Sequence, residues 1–407
     1  MSDNTPSLNR RRLLGATGAV GLAAGAGALG FPQTAQADNA QGDRRPVAKR
    51  GGVARTSLRF RNDGSFTILQ FNDTQDTQLT DKRTLELITK AVRTERPDLV
   101  ILVGDNINGT PATALEHKQA MNNVAATVEA TGTPWLATFG NHDEDSTPKS
   151  GIDEAAMLAF YRQYRHNVNV DGARGITGTG NMYLPILAPR GRRSAYGIWL
   201  LDSGRYAPEK IAGQDFEGYP DWDWLRMDQV DWYYRLSQEL EQDNRRVVPS
   251  SMFFHIALWE HRFMWFSSVD DRSAAAHQRA VAKHGITGER NEDECPGPFN
   301  SGMFNALLKR GETRSVSVGH DHINTYWGNY YGIQLGYGPG SGFGAYGLGG
   351  AQNHRLRGGR VFKLQMGSNG LAELDRTYPV YAKDLGIDIT AGNQRIPAPL
   401  PFPRGVR

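Results

Sequence analysis

Apolar and polar positions divide the chain into short runs. Leu58-Arg59-Phe60, an Asn62-Asp63-Gly64 turn and the apolar run Phe66-Thr67-Ile68-Leu69-Gln70-Phe71 read together as a hairpin. Thr80 or Asp81 can cap a helix whose apolar face includes Leu85, Ile88 and Val92, and which ends before Pro97. Leu99-Val100-Ile101-Leu102-Val103 is a buried strand, a second helix covers roughly residues 114–131, and Trp135-Leu136-Ala137-Thr138-Phe139 is the next strand. This alternation predicts a βαβ core with a largely parallel sheet. Later strands are expected at 198–201, 252–254 and 315–318, with an intervening helix near 225–242. The C-terminal part changes to strand pairs, 360–365 and 371–375 around Ser368-Asn369-Gly370. The last residues, with Pro397, Pro399, Pro401 and Pro403, read as an extended tail. No internal repeat is visible.

Composition narrows the class. At 407 residues and 39% hydrophobic, the chain has material for one large α/β domain or two ordinary ones. It is too apolar and too evenly charged, with 46 Lys+Arg against 43 Asp+Glu, to be disordered. Its 47 glycines and 20 prolines predict a loop-rich molecule rather than a helical bundle. The single cysteine, Cys295, excludes an intrachain disulfide and any cysteine-cluster zinc or iron–sulfur site.

At the N-terminus, Asn9-Arg10-Arg11-Arg12-Leu13-Leu14 precedes an apolar stretch that runs to Phe31 and is broken by six glycines; Ala35-Gln36-Ala37 then offers a small-x-small cleavage site. The segment resembles a twin-arginine signal, which implies export of the folded chain by the twin-arginine translocase and a secreted or cell-envelope location. An uncleaved membrane anchor is the alternative, although about 20 strongly apolar residues are wanted to span a bilayer. Without Arg10, Arg11 and Arg12 the remainder is nearly neutral, so neither a stable nucleic-acid partner nor a membrane after cleavage is expected.

Several expected strands run directly into short polar clusters: Phe71 into Asn72-Asp73-Thr74-Gln75-Asp76, Val103 into Gly104-Asp105-Asn106, and Phe139 into Gly140-Asn141-His142-Asp143. Phe254 is followed by His255, and Val318 by Gly319-His320-Asp321-His322. Sites in open α/β sheets form beyond the carboxyl ends of strands, so these clusters should converge. Carboxylates, imidazoles and amide oxygens without thiolates suit two hard-to-borderline cations such as Fe, Zn or Mn, and the two oxygens of Asp105 would let it bridge them.

This ordered set resembles the calcineurin-like metallophosphoesterases over about residues 60–365. The similarity extends to the purple-acid-phosphatase-related branch through Phe253-Phe254-His255-Ile256-Ala257-Leu258-Trp259-Glu260 and the loop Gly336-Tyr337-Gly338-Pro339-Gly340. The resemblance implies an α/β sandwich of two mixed β-sheets flanked by helices. It further implies hydrolysis of phosphate mono- or diesters of small molecules by a hydroxide activated between two metal ions. Asp73, Gln75 and His322 would hold one metal, Asn141, His255 and His320 the other, with Asp105 bridging. His142 would stand beside the pocket, orienting the phosphate or protonating the leaving oxygen. Two departures matter. The family usually has histidine where Gln75 stands; an amide oxygen is a weaker, uncharged ligand that favours harder ions, which implies either a labile first metal or assistance from Asp76. The metal-binding tyrosine of true purple acid phosphatases is replaced by Asn108, so no purple colour is expected.

The implied organisation is a signal over 1–37, a linker over 38–55, the catalytic domain over 56–383 and a Pro-rich tail over 384–407. A secreted binding or scaffold protein with a degenerate site is the competing reading, motivated by Gln75. A metal-dependent amide hydrolase lacks its His-Glu-x-x-His helix here. Trp222, Trp224, Trp232, Tyr233 and Tyr234 read as core before substrate platform. Trp259, Glu260, His261 and Trp265 suit either core or pocket wall. The 336–349 glycine run reads as a flexible loop near the pocket, and Cys295 as inert. His117, His166, His277, His284 and His354 have no ligand-like spacing.

Overall fold

The continuous apolar runs are strands covered on both faces, which is what an unbroken rather than alternating pattern requires. The computed structural model describes residues 51–55 and 58–407. In chain order it contains β1 (Ser65–Phe71), α1 (Lys82–Glu95), β2 (Leu99–Val103), α2 (Ala114–Glu129), β3 (Trp135–Thr138), the short α3 (Thr147–Ser150), α4 (Glu154–Tyr161), β4 (Met182–Leu187) and β5 (Ser194–Leu200). Two-residue strands β6 (Lys210–Ile211) and β7 (Gln214–Asp215) follow, then α5 (Met227–Asn244), β8 (Ser250–Phe253), α6 (Trp259–Phe266), α7 (Ala274–His284), α8 (Met303–Arg310) and β9 (Thr313–Val318). The last strands are β10 (Trp327–Tyr330), β11 (Ile333–Tyr337), β12 (Gly358–Met366) and β13 (Ala372–Tyr381).

One sheet has five strands in the order β13-β12-β1-β2-β3, the other six in the order β10-β11-β9-β8-β5-β4. The middle of each is parallel (β1, β2 and β3; β5, β8, β9 and β11), with β12, β13, β4 and β10 added antiparallel. This is the expected α/β sandwich of two mixed sheets flanked by helices. Alternate residues of one strand feed different cores. Phe66, Ile68, Leu99, Ile101 and Val103 meet Ile198, Leu200, Phe253 and Phe362 between the sheets. Leu69, Phe71, Val100 and Leu102 instead pack on Leu87, Ile88, Val124 and Val128 of α1 and α2. The second sheet covers its outer face with α5 and α8, where Trp199, Met252 and Val316 meet Tyr233, Leu236 and Leu307.

Several expectations need correction. Residues 58–60 do not form a hairpin with β1. The turn exists, with Gly64 N–H donating to Arg61 O at 2.9 Å, but both edges of β1 are already taken by β2 and β12. The segment therefore crosses to the other sheet, where Phe60 N–H reaches Leu187 O and Leu187 N–H reaches Leu58 O, both at 2.9 Å. Of the two expected caps of α1, Asp81 is the one that acts, its side chain accepting from Arg83 N–H; the buried face runs through Leu87 as well as Ile88 and Val92, while Leu85 is only half-buried. Strand β4 escaped the pattern because Pro185 breaks it, which an edge strand tolerates.

The 1–37 signal and the linker up to residue 50 lie outside the described residues. The linker's last part is not free, since Val53 bridges Tyr183 of β4. The 384–407 segment has no long helix or strand, yet it straps α1, α2 and α4: Gln394 N–H donates to Asp81, Leu400 N–H to Asn123 at 2.8 Å, and Phe402 packs edge-on against Phe160. Among the described residues no helix is long and apolar enough to cross a membrane.

Candidate metal centre

The carboxyl ends of β1, β2, β3, β8 and β9 deliver the five polar clusters to one crevice. The chain must reverse sharply there if the side chains are to point inward, and three residues do so with left-handed backbone: Asp73 (φ 52), Asp105 (φ 49) and His320 (φ 77). Non-glycine residues adopt this conformation uncommonly, and such strain gathers at functional sites. Glycine supplies the close approaches. A Cβ on Gly104 (φ 79) would stand 2.6 Å from His255 Nδ1, and one on Gly140 would stand 2.3 Å from Asp105 Oδ1. The loops are zipped by Gln75 N–H to Asp105 O (2.9 Å) and Asp73 N–H to Gly104 O (3.1 Å).

Asp73, Asp105, Asn141 and His255 are inaccessible to solvent, and Gln75, His320 and His322 are buried. Two clusters share Asp105: Asp105 with His255 and His320, and Asp73 with Asp105 and His322, the candidate ligand atoms of each lying within 4.8 Å of one another. Gln75 Oε1, Asp105 Oδ2, both polar atoms of the Asn141 amide, His255 Nε2, His320 Nε2 and His322 Nδ1 are buried with no hydrogen-bond partner. Orphaned buried polar atoms are rare in native proteins and cost about 1–3 kcal/mol each. His255 shows why they fit a cation. Val103 O can only accept, so His255 Nδ1 gives it a proton at 2.9 Å, and Nε2 is left as a lone pair 3.2 Å from Asp105 Oδ2 and 3.8 Å from Asp73 Oδ1. Lone pairs facing at that distance repel unless a proton or a metal lies between them. Without a metal the proton wins: burial opposes charge on His255, but Asp105 and Asp73 outweigh it and drive its pKa up. Burial opposes charge on His320 and His322 as well, and there it prevails, holding both below the usual histidine range as neutral, ligand-competent imidazoles. The donor set is one that hard-to-borderline cations take.

His142 stands beside this centre with a third of its side chain exposed. Its N–H donates to Asp105 Oδ1 at 2.8 Å, and its Nδ1 lies 2.6 Å from Asp145 Oδ2. Asp145 in turn receives Tyr206 Oη–H at 3.1 Å and Arg205 at 3.2 Å. Burial lowers the His142 pKa, but the Asp145 hydrogen bond and the Asp105 charge reverse this and the net direction is upward.

Supporting residues escaped the sequence reading. Asn72 donates to Asp73 Oδ2 at 2.6 Å and is itself held by Gln70 at 3.0 Å. Asp143 joins two ligand loops: Oδ1 accepts the N–H groups of Asn106 and Ile107, and Oδ2 accepts Gly140 N–H and Asn106 Nδ2. Asp76 joins neither of the two clusters that share Asp105; its oxygens accept the N–H groups of Thr77 and Asp81 at 2.8 Å each. Trp222 is no core residue; it stands edge-on to His320, with ring centroids 4.7 Å apart. Cys295 lies with Asp321 and His320, ligand atoms within 4.8 Å, but burial and then Asp321 push its thiol up to about 12, so it stays protonated near neutral pH. His261 is a core residue packed on Tyr337, and Trp259 donates to Gly297 O.

Residues 66–324 match the family described as calcineurin-like phosphoesterase. The chain is 29% identical to probable inactive purple acid phosphatase 14 of Arabidopsis thaliana, covering 80% of this chain and 82% of that one. It is 30% identical to probable inactive purple acid phosphatase 29 of the same plant, over 73% of this chain and 77% of that one. Among solved structures, a dimetal phosphatase from Danio rerio aligns with a TM-score of 0.42 at 14% identity, covering 74% of this chain and 93% of that one.

Proposed function

Because the chain belongs to the calcineurin-like phosphoesterase family, we propose that it is an exported, metal-dependent phosphoesterase that hydrolyses phosphate mono- or diesters of small molecules. What supports the reading most is the set of buried, unpartnered donor atoms on Gln75, Asp105, Asn141, His255, His320 and His322, carried by loops that meet at Asp105. In this reading Asp73, Gln75 and His322 hold one cation, Asn141, His255 and His320 the other, and Asp105 serves both. Bound Fe, Zn or Mn would supply Lewis acidity, acidifying a water nucleophile and offsetting charge on the phosphoryl oxygens.

The protein's own part is placement and proton handling. His142 N–H fixes one oxygen of Asp105 and so turns the other toward the imidazoles. Asp145 holds His142 Nδ1, which leaves Nε2 as the atom that gives a proton to the departing alcohol oxygen. Tyr206 and Arg205 restrain Asp145, and with it the direction of that proton. The arginine pair near the N-terminus makes the twin-arginine translocase the transient partner, with release from the membrane after cleavage.

The experiment is one panel: metal content by mass spectrometry, with hydrolysis of mono- and bis-nitrophenyl phosphate after Mn, Zn or Fe loading. Near two ions per chain with turnover is expected; a folded chain that takes up metal and hydrolyses neither ester would defeat the catalytic reading. The neutral amide at Gln75 and the word "inactive" in the names of both plant relatives favour a second reading, a binding or scaffold protein with a degenerate site. That reading fails if the loaded chain turns over.

A further inference from the structure

The glycine run after β11 has no part in the chemistry above, yet it lies on the candidate ligands. A Cβ on Gly338 would stand 2.1 Å from Asn72 Oδ1, one on Gly342 2.5 Å from Asp73 O, and one on Gly344 2.4 Å from Asp76 Oδ2. Bare backbone lets this loop rest directly on residues 72–76, and Ser341 and Gly342 donate their N–H groups to Asn72 O and Asp73 O at 2.8 and 2.9 Å.

The loop then presents Tyr346. Its ring stacks on His322, centroids 4.2 Å apart and planes 18° from parallel. Its hydroxyl donates to Glu292 at 2.7 Å, and its carbonyl accepts from the Arg357 guanidinium at 2.6 Å. A tyrosine held at three points nevertheless remains 55% exposed. A fixed, open aromatic face loses little conformational entropy on contact, which is what a stacking platform needs. Tyr331 is as exposed, but it sits on the β10–β11 turn with its hydroxyl oxygen accepting a hydrogen bond from Lys283. A second aromatic edge borders the site: Trp222, edge-on to His320, leans on Tyr206 with centroids 5.7 Å apart.

We infer that the site takes phosphate esters whose alcohol carries a planar aromatic ring, seated on the open face of Tyr346 while the phosphate lies at Asp105. The inference rests on the phosphoesterase reading. Water attacks phosphorus, the bond from phosphorus to the ring-bearing alcohol oxygen breaks, that oxygen takes a proton, and the products are phosphate and the alcohol. An aryl ester and a nucleotide share this chemistry.

The test uses the full chain loaded with Mn. Adenosine 5′-monophosphate and ribose 5-phosphate share one leaving oxygen and differ by the base; 1-naphthyl and phenyl phosphate differ by one fused ring. Stacking of this kind is worth roughly ten- to hundredfold. The larger-ring member of at least one pair should have a kcat/KM higher by about tenfold, expressed in KM, and the pair that shows it identifies the source. The ratio should fall toward one in Tyr346→Ala, persist in Tyr346→Phe, and persist in Tyr331→Ala. Ratios near one in the unaltered protein, or equal loss in the Phe and Ala variants, overturn the platform. If no ester is hydrolysed, the phosphoesterase reading fails separately, and calorimetric binding still decides: adenosine 5′-monophosphate bound about tenfold more tightly than ribose 5-phosphate supports the platform, equal binding refutes it.

Discussion

Asp143→Asn changes no volume and removes no candidate ligand, so it isolates how the ligand loops are held. Asp143 Oδ1 accepts two N–H groups, from Asn106 at 2.9 Å and Ile107 at 3.2 Å; Oδ2 accepts Gly140 N–H at 2.8 Å and Asn106 Nδ2 at 3.3 Å. An asparagine has one acceptor oxygen and one NH2 group. Whichever way the amide turns, two donors face another donor in a site that is 1% exposed. At about 1–3 kcal/mol for each buried group left unsatisfied, the variant should lose roughly 2–6 kcal/mol. The damage falls beside the centre, because Asp105 precedes Asn106 and Asn141 follows Gly140 in the chain. Urea unfolding of the metal-free protein reads the loss as a lower midpoint at unchanged slope, and mass spectrometry of the loaded protein reads weaker metal retention. An unfolding free energy within about 0.5 kcal/mol of the parent, with full metal content, would show that the loops hold their positions without this carboxylate.

Asp105→Asn should retain the parent's circular dichroism and lose turnover by more than the roughly 10- to 100-fold typical of outer-shell partners; near-normal turnover at normal metal content would remove Asp105 from the site. Asp145→Asn should slow an alkyl phosphate by about tenfold or more and 4-nitrophenyl phosphate far less, since only the poor leaving group needs a proton from His142; equal losses would assign Asp145 a purely structural role. The iron-loaded protein should show no visible charge-transfer band, because Asn108, whose side chain accepts Thr110 N–H, stands where a phenolate would be needed. His261 supplies the pH test. Burial lowers its pKa from about 6.5 to about 4, so its contribution to stability is complete above pH 6.5 and declines as pH falls toward 4, where the unfolded chain binds a proton that the native chain refuses. His261→Gln should flatten that part of the stability curve by up to about 1.4 kcal/mol per pH unit; an unchanged slope from urea midpoints would contradict the assignment.

The parallel strands and the clusters behind them were legible because each cluster directly follows an apolar run, and adjacency in the chain is the one kind of proximity a sequence displays. What it hides is proximity across the fold. His142 and Asp145 are three residues apart and could have been paired, but Arg205 reaches Asp145 across 60 residues and Trp222 reaches His320 from an aromatic stretch that reads as core. The mistaken hairpin has the same origin. Residues 58–60 and β1 carry good strand signals and a good turn between them, but whether β1 has a free edge depends on β12, some 300 residues later. Asp76 misled for a chemical reason: one carboxylate among polar neighbours looks like the next, and only its hydrogen bonds to Thr77 and Asp81 show that it caps backbone.

The site also separates metal binding from catalysis. Its backbone is left-handed at Asp73, Asp105 and His320, its two buried carboxylates sit close together, and its imidazole and amide atoms lack partners, all of which destabilise the fold if nothing binds there. Protonating His255 relieves only its own contacts with Asp105 and Asp73, and leaves Gln75, Asn141, His320 and His322 unsatisfied. A cation would satisfy several of these atoms together, so the donor geometry favours metal uptake independently of turnover. Turnover asks more: His142 must keep Nε2 free, and that depends on Asp145, Tyr206 and Arg205 rather than on any ligand. A scaffold that kept its metal would need the first set of residues and could dispense with the second. A His142 held at Nδ1 by Asp145 beside Asp105 is therefore a better argument for an enzyme than the ligands are, and Asp145→Asn is the variant that tells the two apart.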